Sequence, residues 1–246
     1  MGKVFIIVKK DVKEAFRSKT IYLYVLFLCL IALPYLDGFN SVIGNLLKQG
    51  VTMPELRLAS QSFLSSMAYT LPLVFTMLIC SVLAAYSIAM DKAKRTMESL
   101  MATPLSLRQI WLGKSLAVAL PGVAIAILVT VLTFLAMNLA IAVPNVGSFI
   151  LPSALSLVTG LVIIPIMAFV VTSLVSFLQL IMTNPRLANF AFIGIFFAIY
   201  FSTITELTAS WDFSLIYLVA TVFLAVVTIF LTRFLTKEKV ILSSKG

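Results

Sequence analysis

The sequence contains no histidine, and only nine of its 246 residues are acidic. Without histidine, the chain has neither a Ser–His nucleophile pair nor an imidazole metal ligand. No acidic residue falls within a predicted membrane span, which excludes an intramembrane aspartyl dyad or a carboxylate proton relay. The two cysteines, Cys29 and Cys80, lie in apolar runs without metal-ligand spacing and are predicted to be small core residues. We therefore predict no catalytic residue and no metal site on this chain.

Apolar residues make up 61% of the sequence and charged residues 11%, against roughly 45–50% and 25% in soluble domains. A helix that crosses a bilayer needs about 20 mostly apolar residues, and the charge-free stretches supply them. The longest stretch breaks where Asn138, Pro144, Asn145 and Gly147 cluster. The fold is therefore predicted to be an all-α integral membrane protein with six spans, at about residues 20–36, 67–90, 115–137, 151–183, 187–205 and 213–235.

Basic residues indicate the orientation of these spans. With the N-terminus inside, sixteen of the eighteen lysines and arginines lie on the cytoplasmic side, and only Lys48 and Arg57 lie outside. Both termini of this multi-pass protein are therefore predicted to be cytoplasmic, in the cell (plasma) membrane. Residues 37–66 are predicted to form the one sizeable outer loop. The net charge of +9 is explained by topology and needs no nucleic-acid partner.

Residues 1–19 are predicted to form an amphipathic helix before the first span. Its apolar stripe consists of Val4, Val8, Val12 and Phe16 at intervals of four residues, widened by Phe5. Such a helix would lie in the inner membrane interface, with its apolar face in lipid or against the bundle. The alternative is an ordinary basic flank that only fixes orientation.

The remaining residues, 20–246, are predicted to form a single transmembrane domain that carries a polar, charged cytoplasmic segment at residues 91–114. One short helix can start at Thr96, and Pro104 then breaks the chain. A capping box from Ser106 to Gln109 starts a second helix that continues into the third span. The predicted helix–break–helix projects from the inner face. The alternative is a re-entry loop whose charges only enforce orientation.

This segment contains the series Thr96, Glu98, Leu100, Ala102, Thr103, Pro104, Leu105, Ser106, Arg108, Gly113 and Lys114. The series resembles the signature of permease subunits of ABC transporters of the type-2 exporter class. That signature typically reads Gly-Thr, an acidic residue, Leu-Leu-Ala-Thr-Pro-Leu-Ser, basic residues and then Gly-Lys. Two positions differ, because Arg95 stands at the usual glycine and Met101 replaces a leucine.

The resemblance implies six spans preceded by an interfacial helix, in a permease that forms a homo- or heterodimer with a second permease subunit. A separate ATP-binding-cassette ATPase subunit would hold ATP and Mg²⁺, with no cofactor on this chain. The implied activity is ATP-driven export, by alternating access, of an amphipathic or apolar cargo such as a peptide, drug, lipid or glycan. The implied contacts with the ATPase are Glu98, Leu100, Met101, Thr103, Pro104, Leu105 and Arg108.

Two other classes of function remain open, namely a stand-alone secondary carrier or channel and a non-transporting membrane scaffold. A carrier would usually show intramembrane charges or paired broken helices in two similar halves, and the sequence shows neither. Co-purification with an ATPase subunit would distinguish an exporter from a carrier. Cargo-dependent ATP turnover would distinguish it from a scaffold.

Overall fold

The structure is a computed structural model that describes residues 2–93, 105–182 and 213–233, with scattered positions from 184 to 198. The described helices are α1 Gly2–Arg17, α2 Lys19–Lys48, α3 Met53–Ala93, α4 Leu107–Met137, α5 Val143–Val146, α6 Ala154–Val158, α7 Ile164–Ile181 and α8 Phe213–Thr232. Two π-helical segments join neighbours along the chain: Asn138–Ala142 connects α4 to α5, and Thr159–Ile163 connects α6 to α7.

Five helical segments of the described chain are long and apolar enough to cross a membrane. They correspond to the first four predicted spans and the sixth, while the fifth, 187–205, falls mostly outside the described residues. The five segments are Lys19–Lys48, Met53–Ala85, Leu107–Val146, Ala154–Ile181 and Ser214–Thr232.

Helices α2, α3, α4 and α7 alternate in direction, so the bundle has two distinct ends, and α8 runs in the same direction as α7. We call one the α1 end, where α1 lies, α3 finishes and α4 begins; the other, the far end, carries the turn at 49–52 and the loop at 147–153. Helix α3 occupies the centre and packs against α2, α4 and α7. Accordingly 72% of an apolar 18-residue stretch of α3 is buried, whereas only 17% of the corresponding stretch is buried in α2 and in α8. The apolar faces of α2 and α8 are therefore left open to lipid or to another subunit.

The predicted outer loop at residues 37–66 is wrong, because α2 and α3 both extend into it and leave only a short turn. Phe39 and Ile43 are one helical turn apart, Leu56 and Leu64 are two turns apart, and all four are buried. They form an apolar cluster with Met137 at the end of α4 and with Ile141 of the π-helical segment that follows. This spacing is an amphipathic helical pattern that the intervening Ser, Asn and Gly residues obscured.

Each π-helical segment precedes a proline at the same distance. Pro144 and Pro165 both lie two residues after a segment ends. Proline has no N–H, so the usual bond to the carbonyl four residues earlier cannot form. In both places the residue before the proline donates to the carbonyl five residues earlier, as Val143 does to Asn138. The helices thus widen locally instead of ending.

Two glycines allow close contact between helices. A Cβ atom at Gly122 of α4 would overlap the Cys80 sulfur of α3, and one at Gly160 would overlap the backbone carbonyl oxygen of Ala68. Cys80 is buried, as predicted. The prediction for Cys29 is wrong, since it is exposed on α2, which contacts the bundle through one face only.

Candidate coupling site at the α1 end

Helix α1 packs mainly against α4. Of the predicted apolar stripe, Val8 is buried and Val4 and Val12 are half-buried against the protein, whereas Phe5 is 67% exposed and Phe16 is 42% exposed. The stripe therefore divides into a face that contacts the bundle and an outer apolar edge.

Gly113 of α4 lies against Ile7 of α1. A Cβ atom at this position would lie 3.3 Å from the Cβ and Cγ2 atoms of Ile7. A side chain here would require Ile7 to shift by a few tenths of an ångström, because contacts this short leave little room. The glycine that precedes Lys114 thus permits the approach that the lysine then stabilises.

Lys114 is only 1% exposed and binds two carboxylates from other helices. Its Nζ atom lies 2.6 Å from Asp11 Oδ2 of α1 and also pairs with Asp91 Oδ2 of α3. The Ser87 hydroxyl of α3 lies 3.4 Å from the same Asp11 oxygen. We call Asp11, Asp91 and Lys114 the charged cluster. It connects α1, α3 and α4.

Burial makes the charged cluster a strong constraint. The side chains of Asp11 and Asp91 are 11% and 15% exposed, and that of Lys114 is 2% exposed. Removing one partner from a buried ion pair typically costs about 3–5 kcal/mol, because the remaining charge is left uncompensated. A cavity of about 20 Å³ beside the cluster, lined in part by Glu14 and Ser87, has room for one water molecule.

The capping box predicted at the start of α4 is present. The Ser106 hydroxyl accepts a hydrogen bond from the Gln109 backbone N–H at 3.3 Å, and the Gln109 side chain accepts one from the Ser106 N–H at 3.0 Å. Helix α4 consequently begins at Leu107 and carries Arg108 and Trp111 on its first turns.

The predicted ATPase contacts fall into two groups. Leu105 is half-buried and Arg108 is exposed at the start of α4. The others lie in the segment 94–104, outside the described residues: Glu98, Leu100, Met101, Thr103 and Pro104. Two residues of the charged cluster flank that segment in the sequence. Asp91 precedes it by one helical turn, and Lys114 follows it on α4.

The charged cluster was not predicted from the sequence, because Lys114 counted there among the cytoplasmic charges that set orientation. The structure shows that this lysine is buried inside the bundle. The available signal was its position, since Ile110, Lys114 and Val118 follow at intervals of four residues and share the buried face of α4.

Trp111 attaches α4 to α7 next to the cluster. Its indole N–H donates to the Ser173 carbonyl oxygen at 2.8 Å, and its ring packs with Phe177 and Leu180. We expect Trp111→Phe to keep the ring packing but lose the hydrogen bond, which lowers stability by about 1–2 kcal/mol. Thermal unfolding of the purified chain measures the effect, with Arg108→Ala as an exposed control on the same helix. Equal unfolding temperatures for Trp111→Phe and the wild type would contradict this contact.

A comparison with protein families finds a match that covers most of the chain. The family described as ABC-2 family transporter protein matches residues 5–210, which include most of α1, the charged cluster and the segment 91–114. No curated protein and no solved structure matches the chain. Members of this family are multi-pass membrane permeases that generally act as non-catalytic subunits beside an ATPase. Because the match covers most of the sequence, the chain belongs to the ABC-2 family of transporter proteins, as a membrane permease subunit.

Proposed function

We propose that this permease is the membrane subunit of an ATP-driven exporter, and that residues 91–114 receive the movement of a separate ATPase subunit. The charged cluster is the observation that carries this proposal. It ties together the helix that leads into the segment 94–104 and the helix that leaves it, and adds α1 as a third partner. A displacement of the segment would move all three helices together, because separating them breaks buried ion pairs.

The proposed cycle is alternating access. ATP and Mg²⁺ would bind the ATPase subunit, and this chain would carry no cofactor. Closure of the ATPase would displace the segment 94–104, with Glu98, Pro104 and Arg108 among its contacts. A second permease subunit, identical or different, would complete the pathway, and the open faces of α2 and α8 offer surface for it.

The buried polar side chains favour a cargo of low charge. Apart from Lys114, the buried polar residues of the described chain are serines, threonines, Asn138 and Gln179. Hydroxyl and amide groups can accommodate an amphipathic or apolar molecule, but they offer no counter-charge to an ion. A peptide, drug, lipid or glycan is therefore the proposed cargo class.

The proposed location is the plasma membrane, with the α1 end in the cytoplasm and residues 20–246 forming one transmembrane domain. The outer apolar edge of α1 supports an interfacial position for residues 1–19, because Phe5, Ile6 and Phe16 are exposed beside the basic side chains of the same helix.

Cysteine labelling in intact cells tests this orientation. In a background without Cys29 and Cys80, we expect Lys48→Cys to react with an impermeant maleimide added outside. We expect Lys94→Cys and Lys239→Cys to react only after the membrane is opened, because basic residues concentrate on the cytoplasmic side. Labelling of Lys94→Cys from outside would contradict the topology.

Co-purification tests the proposed function. An ATP-binding-cassette ATPase should copurify with the wild-type chain from membranes. We expect Glu98→Lys to weaken that association by about tenfold or more, since reversing an interfacial charge removes an attraction and adds a repulsion. The matched control is Asp37→Lys, an exposed charge reversal on α2 away from the α1 end.

The outcomes distinguish an ATPase-coupled permease from a stand-alone carrier. Loss of the ATPase with Glu98→Lys but not with Asp37→Lys supports the proposed contact. If the Glu98→Lys chain retained the ATPase as well as the wild type does, the segment 91–114 would serve only to set topology. A wild-type chain that retains no ATPase would favour a stand-alone carrier.

A further inference from the structure

A second polar feature lies at the far end, away from the charged cluster. A pocket of about 200 Å³ opens between α3, α6 with its π-helical segment, and the start of α8. Eight of its nine lining residues carry a hydroxyl group, and none is charged. They include Ser62, Ser65 and Ser66 of α3, Ser153 and Thr159, and Ser214 of α8. Such a concentration of hydroxyls is unusual in a chain that is 61% apolar, and we call it the hydroxyl pocket.

Hydrogen bonds within the protein hold the walls of the hydroxyl pocket in place. The Ser153 backbone N–H donates to the Ser65 hydroxyl oxygen at 2.8 Å, which joins the loop before α6 to α3. The Ser153 and Ser156 hydroxyls share a hydrogen bond of 2.8 Å. These bonds fix the pocket shape without a ligand, as in most small-molecule sites.

Both donors and acceptors remain available in the hydroxyl pocket. The Ser66 hydroxyl already donates to the Ser62 carbonyl at 3.1 Å, and that of Thr159 donates to the Leu155 carbonyl at 2.9 Å. Each hydroxyl oxygen keeps lone pairs that can accept. Within the described chain, the hydroxyls of Ser62 and Ser214 bond to no other residue. The hydroxyl pocket therefore suits a ligand rich in hydroxyl groups, which can both donate and accept hydrogen bonds.

We propose that the hydroxyl pocket binds an uncharged, hydroxyl-rich group, namely the sugar ring of a glycolipid or of a free saccharide. No charged side chain lines the pocket, so a phosphate or ammonium group would find no counter-charge there. The volume is below the roughly 300–1,000 Å³ of sites for drug-sized ligands, so one ring fits and a whole amphiphile does not. The assignment goes beyond the proposed coupling to an ATPase and does not depend on it.

Lipid retention by the full chain tests this site. The chain is reconstituted in nanodiscs of phosphatidylcholine that contain minor, equal amounts of glucosyl diacylglycerol and phosphatidylethanolamine with the same acyl chains. Native mass spectrometry then measures which lipids stay bound. The test variant is the double substitution Ser62→Ala and Ser214→Ala, which removes hydroxyls that hold no other part of the protein. The control is Ser81→Ala on α3, whose hydroxyl bonds to Leu78 and borders a separate apolar pocket.

We expect the wild type and Ser81→Ala to enrich the glucosyl lipid over both phospholipids. The double variant should lose about tenfold in enrichment, as expected for two lost hydrogen bonds. Displacement of the lipid by free glucose would assign the site to the sugar ring alone, and retention against glucose would assign it to a membrane-held headgroup. Both results support the proposal.

Equal retention of the three lipids, a preference for phosphatidylethanolamine, or unchanged enrichment in the double variant would overturn it. No ATPase is present in this experiment. Its failure would therefore leave the coupling proposal intact, and a failure to copurify an ATPase would leave the hydroxyl pocket intact.

Discussion

Replacing Lys114 by Met is expected to lower the free energy of unfolding by about 3–5 kcal/mol. The substitution keeps the length and volume of the side chain but removes its positive charge. The carboxylates of Asp11 and Asp91 would then face each other, 11% and 15% exposed, with no counter-charge between them. Because the cluster connects α1, α3 and α4, the loss should also release α1 from the bundle.

Two further variants separate the charge from the packing at this position. Lys10→Met removes an exposed charge from α1 and should leave stability unchanged. Combining Lys114→Met with Asp11→Asn and Asp91→Asn should recover part of the loss, because no uncompensated charge remains buried. Heat-induced loss of the monodisperse peak in size-exclusion chromatography measures all three. A Lys114→Met chain as stable as Lys10→Met would show that this lysine is not in a buried ion pair.

Replacing Gly160 by Ala is expected to destabilise the bundle by about 1–3 kcal/mol or more. The direction is informative, because alanine normally stabilises a helix relative to glycine by about 0.5–1 kcal/mol. At Gly160 the added Cβ atom would overlap the Ala68 carbonyl oxygen. That oxygen belongs to the backbone of α3 and cannot rotate away, so the two helices must separate.

Gly44→Ala is the matched control for this prediction. Gly44 also lies inside a helix, but nothing lies within 4 Å of a Cβ atom built there. Its replacement should leave stability equal to that of the wild type or slightly higher. The same chromatographic assay after heating compares the two variants. If Gly160→Ala proved as stable as Gly44→Ala, the close contact between Gly160 and the Ala68 carbonyl of α3 would be wrong.

Much of the fold follows from the sequence because a bilayer fixes the length of an apolar helix. The charge-free stretches located the first four spans and the sixth, and the capping box at Ser106 marked the start of α4. The extension of α2 and α3 through residues 37–66 was missed because its apolar residues are sparse. There, burial comes from contact with the end of α4 around Met137 and Ile141, and a scan for continuous apolar runs cannot register it.

The candidate site was only partly predictable, and the reason is physical. A rule based on charge counts treats every lysine as solvated, but the environment of Lys114 is set by partners 103 and 23 residues away. Such pairings depend on how the helices pack. By contrast, Gly113 could be identified from the sequence, because the motif that contains it is a short continuous stretch. In the structure this glycine lies in close contact with Ile7.

We propose that the segment 94–104 contacts an ATPase and that the charged cluster passes the movement of this segment to the bundle. Site-specific cross-linking tests the contact most directly. Glu98→Cys and Lys48→Cys are each introduced into a chain without Cys29 and Cys80, the cysteine is labelled with a benzophenone maleimide, and the membranes are irradiated so that the benzophenone inserts into a C–H bond of a neighbouring protein. We expect an adduct between the ATPase subunit and Glu98→Cys and none with Lys48→Cys at the far end. An ATPase that copurifies but cross-links only to Lys48→Cys, or to neither position, would contradict it.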